Sequence, residues 1–400
     1  MLSPSFVCLF LAAPVFLYYI TMGYSLLSSE RPVVDTLDCS TVNTTMISFL
    51  SQKACNKTIL LMIVDYGYLD MWNNTYIAGN LSHYDNLAVF CMDRESYSSL
   101  KKAGIPVLFT SIGGDEIAAT SFANQESLQF KRKMKWKIAL ILQVLKQGYN
   151  VLYVDSDVIL LRNPLSDLQS RSGFDLLAQK DGNNVCSGFM YILSNNRTIE
   201  LFSLATELVL TRVMRDQVSV QQALKQKPIP RLLLPSESYP SGDDFFKTYQ
   251  FYWDMQNSSY YTFHNNWVRG RFGKELRFKE MQMYYLDVDG EYSGMRKYIT
   301  IEKINETNIR DQLRRLSIIA NTLNRSLILP PMHCHSGKRE YCNLCTFDSS
   351  YNCFSNSIDN FTHPVKESVF FTNRRVPSII VNENRHNPIL SFEQQCANET

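Results

Sequence analysis

An α/β protein on a doubly wound, Rossmann-type sheet, with helices on both faces and an apolar N-terminal anchor ahead of it, is the fold this sequence predicts. Three observations carry that expectation. From Thr58 onward, apolar runs of strand length alternate with stretches of helical period. Three of those strands end on an acid, Asp65, Asp93 and Asp155. Gly104 and Gly148 stop the intervening helices. The chain's 400 residues, 45% of them hydrophobic, suffice for one large or two ordinary cores, and a formal net charge of +2 excludes a general nucleic-acid binder.

The N-terminus comes first. Met1 to Ser29 holds no charged side chain, and Phe6 to Leu27 is long and apolar enough to cross a bilayer. The run exceeds a usual signal-peptide core and no small-x-small cleavage site follows, so an uncleaved anchor is expected at 6–27 behind a cytoplasmic tail at 1–5. Ten sequons, at Asn43, Asn56, Asn73, Asn80, Asn196, Asn257, Asn305, Asn324, Asn360 and Asn398, exceed the roughly four that chance supplies. Together with the anchor they predict a single-pass type II protein of the Golgi or endoplasmic reticulum, its body in the lumen. In that compartment Cys39 and Cys55 are expected to close a loop. Cys334, Cys342, Cys345 and Cys353 read as disulfide formers rather than a zinc knuckle with His333 and His335, because the outer spacings are long for zinc. Cys91 and Cys186 lie in apolar runs and are expected to be buried small hydrophobes.

A polar stem is expected at 28–57. The first strand is Thr58 to Asp65, the second Leu87 to Asp93, then a helix from Arg94 to Ala103 and a strand from Ile105 to Phe109. Gln125 to Gln147 has helical period, with Phe130, Met134, Ile138, Ile141, Leu142 and Leu145 on one side and Lys131, Arg132, Lys133 and Lys135 toward the other. Lys131, Arg132, Lys135 and Lys137 read mostly as a solvated face, with one of them able to reach a nucleotide. Later come strands at Phe174–Gln179, Cys186–Leu193 and Ile229–Leu234, two helices within Asn195–Gln226, and a helix from Arg310 to Asn324. Tyr239 to Tyr285, aromatic and punctuated by Gly, reads as a loop region. The main domain is expected at 58–305, with a Cys-containing extension at 306–400.

The chemistry concentrates in Asn150 to Leu161, an apolar strand that ends in Asp155-Ser156-Asp157. Acids are costly to bury unpaired, and the carboxyl ends of such strands are where open α/β sheets bind ligands, so the pair reads as a Mn²⁺ or Mg²⁺ site able to bridge to a diphosphate. A surface turn is the competing reading. Asp65 and Asp93 suit either ribose or base contacts or helix N-caps.

Val-Leu-Tyr-Val-Asp-Ser-Asp-Val with Asn163-Pro164, the Cys186-Ser187-Gly188-Phe189 strand, Asp216-Gln217, His264-Asn265-Asn266-Trp267-Val268-Arg269-Gly270 with Lys274, and the Leu316 to Pro330 stretch occur in that order. Together they resemble the nucleotide-diphospho-sugar transferase family that contains plant rhamnogalacturonan xylosyltransferases and extensin arabinosyltransferases. The resemblance covers about Thr58 to Cys353. It implies a GT-A-like nucleotide-sugar-binding fold, a UDP-sugar donor, Mn²⁺ or Mg²⁺, retention of configuration, and a glycan or glycoprotein acceptor. By position it implies Asp157 and His264 on the metal, Asp155 on the metal or the donor ribose, and Asp216 and Gln217 as catalytic groups beside the sugar. From the residues themselves, Arg269 and Lys274 with Gly270 between them read as a flexible cationic loop able to close over the diphosphate, with a solvated basic turn as the alternative. Galactose, xylose and arabinofuranose all fit, with a lean toward the arabinosyltransferase branch. Homo- or hetero-oligomers are compatible.

Two rivals stand beside this. Haloacid-dehalogenase phosphatases also place Asp-x-Asp after an apolar strand, with Gly242-Asp243-Asp244 as a late acidic motif, but Ile159 stands where a Thr or Val is usual. A non-catalytic, membrane-anchored scaffold would not need Asp155, Asp157 and His264.

Overall fold

The computed structural model describes residues 39–109, 128–212, 214–247, 259–267, 271–287, 290, 292–294, 298–300 and 309–328. The expected anchor, residues 28–38 of the expected stem, the late cysteines, Arg269 and Gly270 lie outside these residues. Among the described residues no helix is long and apolar enough to cross a membrane.

The chain begins with α1 (Cys39–Lys53), β1 (Thr58–Val64), α2 (Leu69–Ala78), β2 (Leu87–Cys91), α3 (Arg94–Lys102) and β3 (Val107–Phe109). Then come α4 (Leu128–Lys146), β4 (Asn150–Val154), β5 (Val158–Leu160), α5 (Leu165–Ser170), β6 (Leu176–Asp181), β7 (Asn184–Ile192), α6 (Asn196–Arg212) and α7 (Asp216–Gln226). Last are β8 (Arg231–Leu233), α8 (Gly242–Lys247), β9 (Thr262–His264), α9 (Arg271–Glu280), β10 (Tyr298–Ile299), α10 (Ile309–Thr322) and β11 (Ser326–Leu327).

Seven strands form the central sheet in the order β3-β2-β1-β4-β7-β6-β8, parallel except for β7, which is antiparallel to both neighbours. Because side chains alternate across a strand, β1 feeds two cores. Ile59, Leu61 and Ile63 pack with Ile138, Ile141 and Phe202 on one face, while Leu60, Met62 and Val64 pack with Trp72, Leu81 and Leu168 on the other. Each such fully buried aliphatic contributes about 1.5–3 kcal/mol relative to exposure. A third cluster joins Ile159 of β5 and Phe263 of β9 to Met71 of α2 and Phe278 of α9, while Val158 and Leu160 of β5 pack in the second core with Val64 and Val154 of the main sheet.

The sheet's layout decides where a ligand goes. β1 has β2 on one side and β4 on the other, all three running the same way. Successive connections leave in opposite directions there, which opens a crevice at the carboxyl ends of β1 and β4. Asp65 and Asp155 are the residues that follow those two strands.

Several expectations change. Within the stretch expected as a stem, α1 places Met46 and Leu50 in the core. The stretch from Tyr239 to Tyr285, expected as loop, contains α8, β9 and α9; β9 is only three residues long, too short for a period to show. The Cys39–Cys55 closure is corrected: Cys55 is a free thiol. Those residues lie at opposite ends of a 15-residue helix, about 20 Å apart along its axis, whereas a disulfide needs Cα atoms within about 7 Å. Cys91 and Cys186 are free and buried, as expected. The solvated reading of Lys137 is also corrected, as is the placing of Lys133 away from the apolar side. Both are buried, at 1% and 0% exposure, on the face of α4 that carries Ile141 and Val144.

A candidate metal and nucleotide-sugar site

β4 ends at Val154, and Asp155-Ser156-Asp157 turns the chain into β5. That turn is tied down from beneath. Thr75 Oγ1 donates to Ser156 O at 2.6 Å, Ser156 Oγ to Ile63 O at 3.3 Å, and the Asp155 amide to Gly188 O at 2.9 Å. Opposite, the β5–β9 ladder pairs Val158 with His264, so the imidazole is delivered to the acids by strand register. Asp155, Asp157 and His264 thereby bring ligand atoms within 4.8 Å of one another.

The space between them exists because residue 188 is glycine. A Cβ there would lie 2.6 Å from His264 Cε1, 2.8 Å from Asp155 Oδ2 and 3.0 Å from His264 Nε2. Two carboxylates and an imidazole around such a gap are a donor set suited to Mn²⁺ or Mg²⁺, with room left for oxygens of a ligand.

His264 is oriented for that role. Gln179 donates from Nε2 to Pro240 O at 2.7 Å and Tyr239 O at 3.3 Å, which turns its Oε1 toward His264 Nδ1, with which it forms a short hydrogen bond. Nδ1 must therefore carry the proton, and Nε2 points toward Asp157 Oδ1, 3.6 Å away. Burial alone would depress the imidazole's pKa, but Cys186 and Asp157 beside it push it up to about 10.

Asp157 is almost wholly buried and contacts the Lys274 ammonium as well as His264. Burial would raise its pKa; Lys274 and His264 overcome this and hold it well below the carboxylate range. Lys274 also donates to Asn265 O at 2.8 Å, while Asn265 Nδ2 donates back to Lys274 O at 2.7 Å, so α9 clamps the segment that follows β9.

Asp155 is supported differently. Its carboxylate accepts from Lys137 Nζ at 2.9 and 3.1 Å and from Tyr153 Oη at 2.7 Å. Lys137 reaches onward to Asp216 Oδ2 at 2.8 Å, which also accepts from Ser187 Oγ at 2.7 Å. Burial would raise the pKa of Asp216, yet Lys137 brings it below its ordinary value, so Asp155 and Asp216 share one buried cation. Gln217, next on α7, donates to Asp181.

Asp65 and Asp93 lie on the other side of the triad and act on backbone. Asp65 accepts from Gly67 N at 2.8 Å and from Lys133 Nζ at 2.9 Å. Asp93 caps α3 through Ser96 N at 2.7 Å and accepts from Tyr66 N at 2.8 Å. Asp244 binds Ser241 N and Oγ at 2.8 and 2.9 Å, at the start of α8.

Of the residues singled out in the sequence, the structure thus brings Asp155, Asp157, His264 and Lys274 together, with Asp216 linked to them through Lys137. Lys137, Gln179 and Tyr153 carry the site without having been singled out. Lys133 and Lys137 left only their spacing of four on one helix, which surface cations share. Gln179, inside an apolar strand, left a weak signal.

Residues 82–278 match the model of the nucleotide-diphospho-sugar transferase family. That stretch of the chain belongs to this family. Among individual proteins, the chain is similar to beta-arabinofuranosyltransferase RAY1 of Arabidopsis thaliana, 27% identical over 55% of this chain and 46% of that one. It is similar to a UDP-galactose:fucoside alpha-3-galactosyltransferase of Dictyostelium discoideum, 26% identical over 58% of this chain and 44% of that one. A UDP-D-xylose:L-fucose alpha-1,3-D-xylosyltransferase 3 of Arabidopsis thaliana is 23% identical over 72% and 81%. The chain spans about half the length of the first two relatives. The apo crystal structure of mouse xyloside xylosyltransferase 1 overlays with a TM-score of 0.37 at 10% identity, over 52% of this chain and 98% of that one, and an overlay this loose carries no weight. The nucleotide-diphospho-sugar transferase segment takes in β2 through most of α9, and with them every member of the triad.

Proposed function

We propose that this chain is a retaining, metal-dependent glycosyltransferase with a GT-A-type catalytic domain, moving a sugar from a UDP-sugar to a glycan or glycoprotein acceptor. The observation that carries the reading is the convergence of Asp155, Asp157 and His264 on the gap Gly188 leaves at the sheet's switch point. Mn²⁺ or Mg²⁺ would be held by Asp157 and His264 with Asp155 beside it, and would supply positive charge to the diphosphate as it leaves.

The protein's own groups supply the remainder. Lys274 is a second positive charge at Asp157, suited to the same diphosphate. Asp216, kept ionised by Lys137, lies on the β7 side of the triad, and its charge favours an oxocarbenium-like sugar. In a same-face displacement the bond from sugar C1 to the diphosphate oxygen breaks as the acceptor oxygen bonds to C1. The acceptor's proton passes to the departing diphosphate oxygen, and no protein nucleophile is assigned. Retention is supported by the relatives' names, since the Dictyostelium and Arabidopsis fucose-directed enzymes are named for α products made from UDP-sugars that are themselves α-linked.

The lumenal type II address belongs to this proposal. It rests on the apolar run Phe6 to Leu27 and the sequons, of which Asn56, Asn80, Asn196 and Asn324 are exposed. The test is hydrolysis of UDP-galactose, UDP-xylose and UDP-arabinofuranose with Mn²⁺, against EDTA and Asp157→Ala. We expect one donor to be turned over, and both controls to abolish it. If the parent protein neither binds nor hydrolyses any of the three, the enzyme reading is wrong.

A further inference from the structure

Three residues on from His264, Trp267 stands 51% exposed in the left-handed region at φ 59°. For a bulky side chain that conformation costs on the order of 1–3 kcal/mol and persists only where the surroundings impose it. The surroundings here do so at several points. Arg277, buried in α9, donates from Nη1 to Asn266 O at 2.6 Å and from Nη2 to Trp267 O at 3.4 Å. The indole N–H donates to Asp181 Oδ1 at 2.9 Å, and the other oxygen of Asp181 accepts from Gln217 Nε2. Its polar hydrogen is thus engaged within the protein, so what Trp267 offers to solvent is apolar ring, rigidly mounted beside ionic groups.

Its position along the sheet says what would use it. The acids follow the strand order: Asp93 after β2, Asp65 after β1, Asp155 after β4, then Ser187 and Gly188 of β7, and finally Asp181 at the end of β6. On the proposed reading the diphosphate sits at Asp155, Asp157 and His264, with the nucleoside toward Asp65 and Asp93. The donor sugar then extends the other way, past Ser187 and Asp216, and whatever accepts it approaches from the β6 side. That is the side Trp267 occupies, tied to Asp181.

We propose that Trp267, fixed by Asp181, Gln217 and Arg277, is the platform on which the acceptor's sugar ring stacks. The C–H face of a pyranose packs against an indole as apolar surface does, while its rim hydroxyls remain available to Asp181 and Gln217. Rings whose axial 4-hydroxyl clears one face, such as fucose and galactose, present the broadest such surface. Asp181 is therefore a positioning residue for the indole, and Gln217 positions Asp181. The inference rests on the transferase reading for its choice of acceptor over other sugars.

The experiment uses methyl α-L-fucopyranoside as probe and the full chain with Mn²⁺. Titration of the parent protein should give a saturable change in tryptophan emission, and Trp267→Phe should abolish that change. Trp267→Ala should raise KM for the fucoside about tenfold with kcat within about twofold, and Trp267→Phe should restore most of the KM. The proposal is overturned by any of four results: no saturable change in the parent, a full change surviving in Trp267→Phe, an unaltered KM in Trp267→Ala, or a full change from UDP and Mn²⁺ alone to which the fucoside adds nothing. Loss of donor hydrolysis in the parent with the sugar signal intact would sink the transferase reading and leave the platform standing.

Discussion

Gly188→Ala tests the site with the smallest possible change. The glycine's φ lies outside the left-handed region, so alanine suits the backbone and the effect is one of space alone. The new methyl would be 2.6 Å from His264 Cε1 and 2.8 Å from Asp155 Oδ2. Ordinary contact for such atoms begins near 3.4 Å, so the imidazole and the carboxylate must retreat by about 0.6–0.8 Å. His264 has little room to do so, because Gln179 holds Nδ1 and the β9 backbone is paired to β5. Metal ligands tolerate about 0.2 Å of displacement, and a 1 Å misplacement at a reacting centre costs about a hundredfold. We therefore expect donor hydrolysis to fall about a hundredfold, with overpacking destabilising the fold by about 1–3 kcal/mol. The assay pairs a Mn²⁺ titration of hydrolysis with thermal unfolding with and without Mn²⁺. The parent should be stabilised by the ion and the variant much less. A variant with parental hydrolysis and a parental Mn²⁺-induced shift in Tm would refute the assignment of this gap as the cation's seat.

Three further outcomes follow from the same geometry. Gln179→Leu removes the acceptor that orients His264, and should weaken the Mn²⁺ dependence of hydrolysis by about 10–100-fold with little change in circular dichroism; a parental Mn²⁺ midpoint would show that the ring needs no such partner. Lys137→Met leaves buried Asp216, and half-buried Asp155, without their shared cation and should cost about 3 kcal/mol in denaturant unfolding, mostly at Asp216, an effect that Asp216→Asn in the same chain should partly relieve; additive losses in the double variant would argue against coupling. Asp175 accepts from Arg197 at 2.5 and 2.8 Å and from Asn195 at 2.8 Å, and its pKa is lowered, first by Arg197. A depressed folded-state pKa means stability that is present above the unfolded value near 4 and lost as pH falls through the folded one. Asp175→Asn should thus flatten the acid limb of unfolding below about pH 4, and an unchanged limb would remove Asp175 from that account.

How much was written in the chain itself differs from element to element. β1, β2 and β4 were legible because burial on both faces makes a parallel strand a continuous apolar run, and because each ends on an acid at its carboxyl end. α4 was legible from its period, and Asp155-Ser156-Asp157 from the oddity of two acids closing such a strand. The residues that make those acids a site were not readable in the same way. His264 lies more than a hundred positions from Asp157 and reaches it only through the β5–β9 pairing, a ladder three residues long. Lys137 looks like any surface cation until α4 is laid across β4 and its ammonium meets two carboxylates.

The sequence alone therefore determined the sheet class, the paired acids that close β4 and the family resemblance, because those depend on local period and on residue types adjacent in the chain. Tertiary structure decided what holds them. It put Gln179 behind His264, emptied the space at Gly188, and buried Lys137 between Asp155 and Asp216. It also stood Trp267 beside Asp181. Each is a contact between residues remote in sequence, and no local rule encodes such a contact, since only the packing of the strands brings its two partners within reach.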